Sequence, residues 1–562
     1  MTTDFTELFN EKLSALGITT DIDIHEFDTI VQLFEAAFKK HAHLPACSSL
    51  GHALSYAELD QLSADFAAWL QHDSGLEQGD RVAIQMPNLI QYLVVCLGTL
   101  RAGMVVVNTN PLYTERELTH QFNDAGVQLL VVQANVAATV AKILPNTQVR
   151  QVIVTELADL HSLPKRLLIN WGAKYLKKMV PEFHIPGSKR LRSVLAAGRQ
   201  RQYRPISVPR DALAMLQYTG GTTGLAKGAM LSHANLVANV LQCDAAFATH
   251  AMNGPGNTCM QPLPVYHIYA FTASMYGVHT GAHTVYLPNP RDLKSVVDAM
   301  AQYRPALFCG LTTLFVALSN DADFRALDFS QLRVTLSGGM ALTEAAAKRW
   351  EDVTGCSVFE GYGLTETSPV ATSNPGNGNQ LGTIGLPMPL TELKVIDDEG
   401  NALGTDEAGE LCIRGPQVML GYWQRPEATA EVLSEDGWFA TGDVAVIQSD
   451  GYTRIVDRKK DMILVSGFNV YPNELEDVLS KHPGVLECAA VGMPDPTSGE
   501  VIKMFVVRQD PALTEAEVRD FCRQHLTAYK VPKLVAFRDE LPKTNVGKIL
   551  RRELRDAETQ AS

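Results

Sequence analysis

The sequence predicts an α/β fold built as a large N-terminal domain of sheet-and-helix subdomains followed by a small α+β C-terminal domain. Three observations carry this. Strand and helix patterns alternate over most of the 562 residues, short strands take over near residue 390, and a compact mixed unit closes the chain. A chain this long exceeds one hydrophobic core, so at least two domains are expected. Its composition, 46% hydrophobic and 20% charged, is that of a globular protein with a large core.

From about residue 30 to 155, DRVAIQMP, GMVVVNTNP, VQLLVVQA and VRQVIVTE read as buried strands, with helical stretches such as YAELDQLSADFAAWLQ between them. Strand, helix and strand in repetition specify a largely parallel sheet with crossover helices. The pattern resumes at about residue 205. At 218–228, YTGGTTGLAKG follows the apolar ALAMLQ and precedes HANLVANVLQ, which reads as strand, glycine-rich turn and helix. Gly220, Gly221 and Gly224 let the backbone close around phosphate oxygens. Thr219, Thr222 and Thr223 add hydroxyl donors, and Lys227 adds charge. The Gly-Lys-Ser/Thr triplet of a P-loop is absent. Past residue 390, ELKVID, GELCIRG and YTRIVD are short strands. After DRKKD at 457–461, ECAAVGMP and KMFVVR are the strands of the last unit.

One segment breaks the composition. Residues 161–204 hold eleven Lys or Arg and a single acid, Glu182, in a chain of net charge -14. If 164–180 is helical, Leu167, Trp171, Tyr175 and Met179 form an apolar stripe, with Lys165, Arg166, Lys174, Lys177 and Lys178 largely off it. Such a helix lies on an anionic membrane surface or packs its stripe on the protein, and the pattern alone leaves both open.

The net charge argues against nucleic-acid binding, because a phosphate backbone repels an acidic protein without a basic face. The N-terminal MTTDFTELFNEKLSALG is neither a secretory signal nor an evident transit peptide, and no run of about 18 apolar residues occurs. A cytoplasmic location is expected. Nine cysteines without a CxxC fit reduced buried thiols.

Five motifs occur in order: YTGGTTGLAKGAMLSH (218–233), EGYGLTETSP (360–369), GWFATGD (437–443), DRKKDMILVSGFNVYPNELE (457–476) and PKTNVGKILRREL (542–554). Together they resemble the core motifs of the adenylate-forming enzymes: acyl-CoA synthetases, peptide-synthetase adenylation domains and luciferase. VVVNTNPLYTERELTHQFNDAG (105–126) and GPQVMLGYWQRPEAT (415–429) look like the bacterial long-chain fatty-acyl-CoA synthetases in particular. The resemblance implies a large domain of residues 1–459 with a barrel-like β subdomain, and a mobile small domain of 460–562. It also implies two half-reactions: a fatty carboxylate and ATP give acyl-AMP and pyrophosphate, then coenzyme A gives acyl-CoA and AMP for fatty-acid degradation or lipid metabolism.

By the same resemblance, the glycine-threonine loop would hold the β- and γ-phosphates. Glu366 would hold Mg2+, and Thr365 would hydrogen-bond the α-phosphate. Gly338, Gly339, Glu360, Gly361 and Tyr362 would form the adenine slot, with Tyr362 stacking on the ring. Asp443 would take the ribose hydroxyls, with Arg458 near the ribose or phosphate. Lys548 would be the catalytic lysine of the first half-reaction, its ammonium bridging two anions that repel each other. Lys460 would be the hinge, and Gly467 and Phe468 would line the pantetheine tunnel. His267, Gly310, Leu311 and Thr312 would line or gate the acyl pocket, with Ser337 ahead of the two glycines as a small departure. Peripheral contact with the inner membrane would suit a lipid-soluble substrate. A homodimer, a ligase that delivers to a carrier protein, and a fatty-acid-binding protein without turnover remain open alternatives.

Overall fold

The structure, a computed structural model, describes residues 5–219, 226–250, 254–466, 468–495, 498–544 and 547–561. The four strands expected between 80 and 155 are neighbours in a seven-stranded sheet. Its order is Lys189–Arg190, Gln151–Thr155, Val127–Gln133, Arg81–Gln85, Val105–Thr109, Leu213–Thr219 and Lys227–Ser232. All pairs are parallel except the last, and every side chain of Val105–Thr109 and Val127–Gln133 is buried, as strands covered on both faces require. The helix Tyr56–Asp73 starts where Ser55 accepts from the Glu58 amide while the Glu58 carboxylate accepts from the Ser55 amide, a reciprocal cap that satisfies two otherwise orphaned donors.

A second, nine-stranded sheet sets up the chemistry. Its parallel centre runs Val358–Gly363, Val334–Ser337, Leu307–Gly310, Thr258–Gln261, His283–Tyr286 and Pro45–Ser49, with antiparallel strands on both flanks. Trp350 anchors the core beneath it, its ring 4.8 Å from Phe315, 5.3 Å from Phe308 and 5.4 Å from Phe324. The region past 390 is a four-stranded antiparallel sheet of consecutive neighbours, Glu392–Ile396, Ala408–Arg414, Phe439–Ile447 and Thr453–Arg458. The final unit pairs Val485–Asp495 with Gly499–Arg508 in a five-stranded sheet, with helices Pro472–Ser480, Glu515–His525 and Arg551–Ala561.

Two expectations are corrected. The helix expected at HANLVANVLQ is present as His233–Phe247, capped by Ser232, but a strand not expected from the sequence comes first: Lys227–Ser232 pairs antiparallel with Leu213–Thr219. The strand forms because KGAMLS can bury its apolar side chains against the edge of the sheet, which removes the helix N-terminus from the phosphate loop. The basic segment is helical only in part, an α-helix over Leu163–Trp171 that widens to a π-helical turn over Gly172–Leu176. Its stripe does not pack on the body of the protein. Leu167, Trp171, Tyr175 and Met179 are 60%, 53%, 59% and 43% exposed. All nine cysteines are free and buried. Among the described residues no helix is long and apolar enough to cross a membrane.

Candidate active site

The C-terminal ends of neighbouring parallel strands carry most of the expected site residues, the rim where open α/β sheets place ligands. Gly310, Ser337 and Glu360 stand side by side in register, so the segments after them, Leu311–Thr312, Gly338–Gly339 and Gly361–Glu366, emerge on one edge. His267 follows the adjacent strand Thr258–Gln261 as the N-cap of helix Ile268–Thr280.

At Gly338 a Cβ would stand 3.3 Å from the Tyr269 ring, and Gly339 turns at φ +82°, so this stretch is held close by backbone that a side chain would crowd or strain. Glu360 is buried and its carboxylate accepts from the Leu342 amide at 3.0 Å, which pins the loop after the glycines; burial pushes its acid up to about 8. Tyr362 donates its hydroxyl to Asp443 at 2.6 Å. Asp443 also meets the Arg458 guanidinium at 3.2 Å, because the two residues pair directly across Phe439–Ile447 and Thr453–Arg458. These two, with Thr441, Gly442, Lys459 and Lys460, line a cleft of about 300 Å³. The strand ends therefore join the ring of Tyr362, the carboxylate and the guanidinium into one wall.

Glu366 is buried in a short turn, Thr365–Thr367, with Thr365 half-buried beside it. Burial raises its acid, opposed by a hydrogen bond from the Tyr422 hydroxyl at 2.7 Å. Thr219 and Lys227 face each other at the loop end of their hairpin, and the Lys227 ammonium lies 4.9 Å from the Tyr422 ring centre. Gly220, Gly221, Thr222, Thr223, Gly224 and Gly467 lie outside the described residues. Among the described residues no group of three or more His, Cys, Asp or Glu could hold a metal alone. Magnesium carried by nucleotide phosphates takes only one or two protein carboxylates, so Glu366 fits that donor set.

Lys548 comes from the small domain. The preceding Gly547, at φ +84°, sits so close to the large domain that a Cβ there would lie 2.8 Å from Thr313 Oγ1 and 3.2 Å from a Leu311 methyl. This seat brings the half-buried Lys548 among Arg458, Asp443 and His267. Burial, with the Arg458 charge adding to it, pushes the Lys548 amine down to about 8. Burial and then the Lys548 charge push His267 down to about 4, so the imidazole is neutral.

The remaining expected residues divide. Leu311 and Thr312 are buried at the rim, but the Thr312 hydroxyl donates to the Ala341 carbonyl at 2.7 Å. Gly310 is required by packing, since a Cβ would come within 2.4 Å of the Phe315 ring. Lys460 is exposed at the edge of the cleft, its amine lowered by partial loss of solvent and then by the Arg458 charge. Phe468 stands apart from this cluster, 55% exposed and stacked on Tyr529 at 4.7 Å. Tyr422 and Gly547 received no role from the sequence. Their signals were present, a tyrosine in GPQVMLGYWQ and a glycine directly before Lys548.

A family model described as AMP-binding enzyme matches residues 34–423, and one described as AMP-binding enzyme C-terminal domain matches 474–548. The chain belongs to the AMP-binding enzymes. This AMP-binding enzyme is 50% identical over 543 residues to the long-chain-fatty-acid–CoA ligase of Escherichia coli O157:H7, covering 96% of each chain. It is 49% identical over 545 residues to the long-chain-fatty-acid–CoA ligase of Yersinia pestis, covering 97% of each. Among solved structures, ATP-bound MatB from Rhodopseudomonas palustris superposes with a TM-score of 0.81 at 31% identity, over 94% of this chain and 99% of MatB. The apo form of MatB superposes with 0.72 at the same identity, so the arrangement of this AMP-binding enzyme is nearer to the ATP-bound form.

Proposed function

We propose that the protein is an AMP-forming ligase that joins long-chain fatty acids to coenzyme A. A carboxylate is a poor acylating agent, and the site suits a two-step solution. An oxygen of the fatty carboxylate attacks the α-phosphorus of ATP and the bond to pyrophosphate breaks, giving acyl-AMP. The sulfur of coenzyme A then attacks the acyl carbon and AMP leaves. The observation that carries the reading is the seat of Gly547 against Leu311 and Thr313 of the large domain, which brings the next residue, Lys548, within electrostatic reach of Arg458, Asp443 and His267. Two unit charges 4 Å apart repel by about 4 kcal/mol at the effective dielectric of a protein surface, and an ammonium between carboxylate and α-phosphate offsets this. Asp443 would hold the ribose hydroxyls and Tyr362 the base, with Gly338 and Gly339 admitting the flat ring. Glu366 would hold magnesium, which neutralises phosphate charge when bound with the nucleotide. The small domain would begin at Lys460.

The test is AMP and acyl-CoA formation from ATP, coenzyme A and fatty acids of graded length, with Lys548→Ala alongside. Acyl-CoA peaking on long chains, and a loss on the order of 10²- to 10³-fold in the variant, is the expected result. Acyl-AMP without thioester would favour a carrier-protein ligase instead.

The same reading includes peripheral contact with an anionic membrane surface through 161–204. Seven of the fifteen exposed large apolar side chains among the described residues lie in 163–179, and Lys165, Lys174, Lys177 and Lys178 are exposed beside them. The Asn170 amide ties the helix to the body through Glu156 and the Ala158 amide, so the apolar residues project outward. Reversing these four lysines to Glu is expected to abolish sedimentation with vesicles containing anionic lipid; unchanged sedimentation would refute the contact.

A further inference from the structure

Tyr422 stands between the two charged groups assigned to the polyphosphate end of the cleft. Its hydroxyl donates to Glu366 Oε1 at 2.7 Å, and its ring lies beneath the Lys227 ammonium at 4.9 Å. Its own backbone is fixed by bonds that do not involve either charged side chain. The Tyr422 amide donates to Thr429 Oγ1 at 2.9 Å, while Leu420 and Trp423 donate to the Met230 and Gly228 carbonyls at 3.0 and 2.8 Å, bridging to the edge of Lys227–Ser232. The Glu366 carbonyl accepts from the Met419 amide at 2.8 Å, so the segment 419–423 grips both the backbone and the side chain of that residue.

We propose that Tyr422 is a positioning residue for nucleotide-bound metal: it holds the Glu366 carboxylate through Oε1, leaves Oε2 as the ligand atom, and seats Lys227 over its ring. The proposal rests on the AMP-forming reading above. A donor of this kind restricts the carboxylate to one orientation, and partners that orient metal ligands typically contribute about 10- to 100-fold in affinity or activity. The cation over the ring adds a weaker, separate contact that Phe retains and Leu does not.

The test is calorimetric titration of the full chain with ATP, once with magnesium and once with EDTA. Tyr422→Phe is expected to weaken ATP binding about 10- to 100-fold in magnesium and to leave metal-free binding unchanged. The magnesium concentration for half-maximal adenylate formation rises by a similar factor. Tyr422→Leu is expected to weaken metal-free binding as well, because Lys227 loses its seat. Magnesium-dependent binding that survives in Tyr422→Phe overturns the proposal. So does an equal loss with and without metal, the mark of a merely structural residue. Identical behaviour of the Leu and Phe variants overturns the part played by the ring. Wild-type protein that forms no acyl-AMP refutes the AMP-forming reading and this proposal with it, whereas active wild type with an unaffected Phe variant refutes this proposal alone.

Discussion

Lys548 works under a constraint that its surroundings impose. Burial and the neighbouring Arg458 push its amine down to about 8 from the ordinary range of a lysine. The charged form is therefore dominant below that pH and lost above it. If the ammonium bridges two anions in the first half-reaction, single-turnover formation of acyl-AMP falls as pH rises through about 8. Lys548→Arg, which keeps its charge, is expected to be slower but flat over the same range. Rapid-quench measurement from about pH 7 to 9.5 decides it, and a flat wild-type profile would contradict the role of the charge. The residues with strong chemistry, Lys548, Glu366, Asp443 and Arg458, were legible as letters in ordered strings. Tyr422 and Gly547 were not. Tyr422 meets Glu366 across 56 residues of chain, and Gly547 matters through a contact made only when two domains meet.

At the level of elements, strands buried on both faces were the most legible, because a continuous apolar run has few other uses. The hairpin after the phosphate loop was misread because KGAMLS is short and its partner strand lies upstream of the loop, so no local periodicity announces it. Residues 542–544 and 547–550 show the converse, a local structure whose reason lies elsewhere. Thr544 and Lys548 close it through a 2.7 Å backbone bond, and Gly547 turns at φ +84° against Leu311 and Thr313. Gly547→Ala would combine left-handed strain of about 1–2 kcal/mol with a methyl pressed into the large domain. The expected outcome is a displaced Lys548 and acyl-AMP formation reduced on the order of 10²-fold, since misplacement by about 1 Å has that effect. The melting temperature of the isolated variant should move little. A variant with normal adenylation would mean that the seat does not position the lysine.

The whole molecule is arranged for one of the two steps. Lys481 bonds Glu344 across the domain interface at 2.7 Å, the Glu344 amide donates to Asp477 at 3.3 Å, and Gly547 seats against Leu311 and Thr313. With these contacts made, Lys548 is at the site and Phe468 is turned away onto Tyr529. The change from parallel α/β pattern to short strands and then a mixed unit gave the order of the units, while the boundary at Lys460 was an expectation from the resemblance of DRKKD to a family hinge. The docking was not, because salt bridges between exposed side chains leave no periodic trace. In the proposed reaction Lys548 has finished its task once pyrophosphate leaves, and the coenzyme A thiol must then reach the acyl carbon. We propose that the small domain turns between the steps, with Lys460, in the turn after Thr453–Arg458, absorbing the dihedral change. Proline there fixes φ near −65° and removes an amide donor. Lys460→Pro is expected to form acyl-AMP at a rate close to wild type yet to discharge it onto coenzyme A on the order of 10²-fold more slowly, because the reacting groups are no longer brought together. Separate single turnovers, one from ATP and fatty acid and one from preformed acyl-AMP and coenzyme A, measure the two steps. Equal losses in both would place the turning point at another residue.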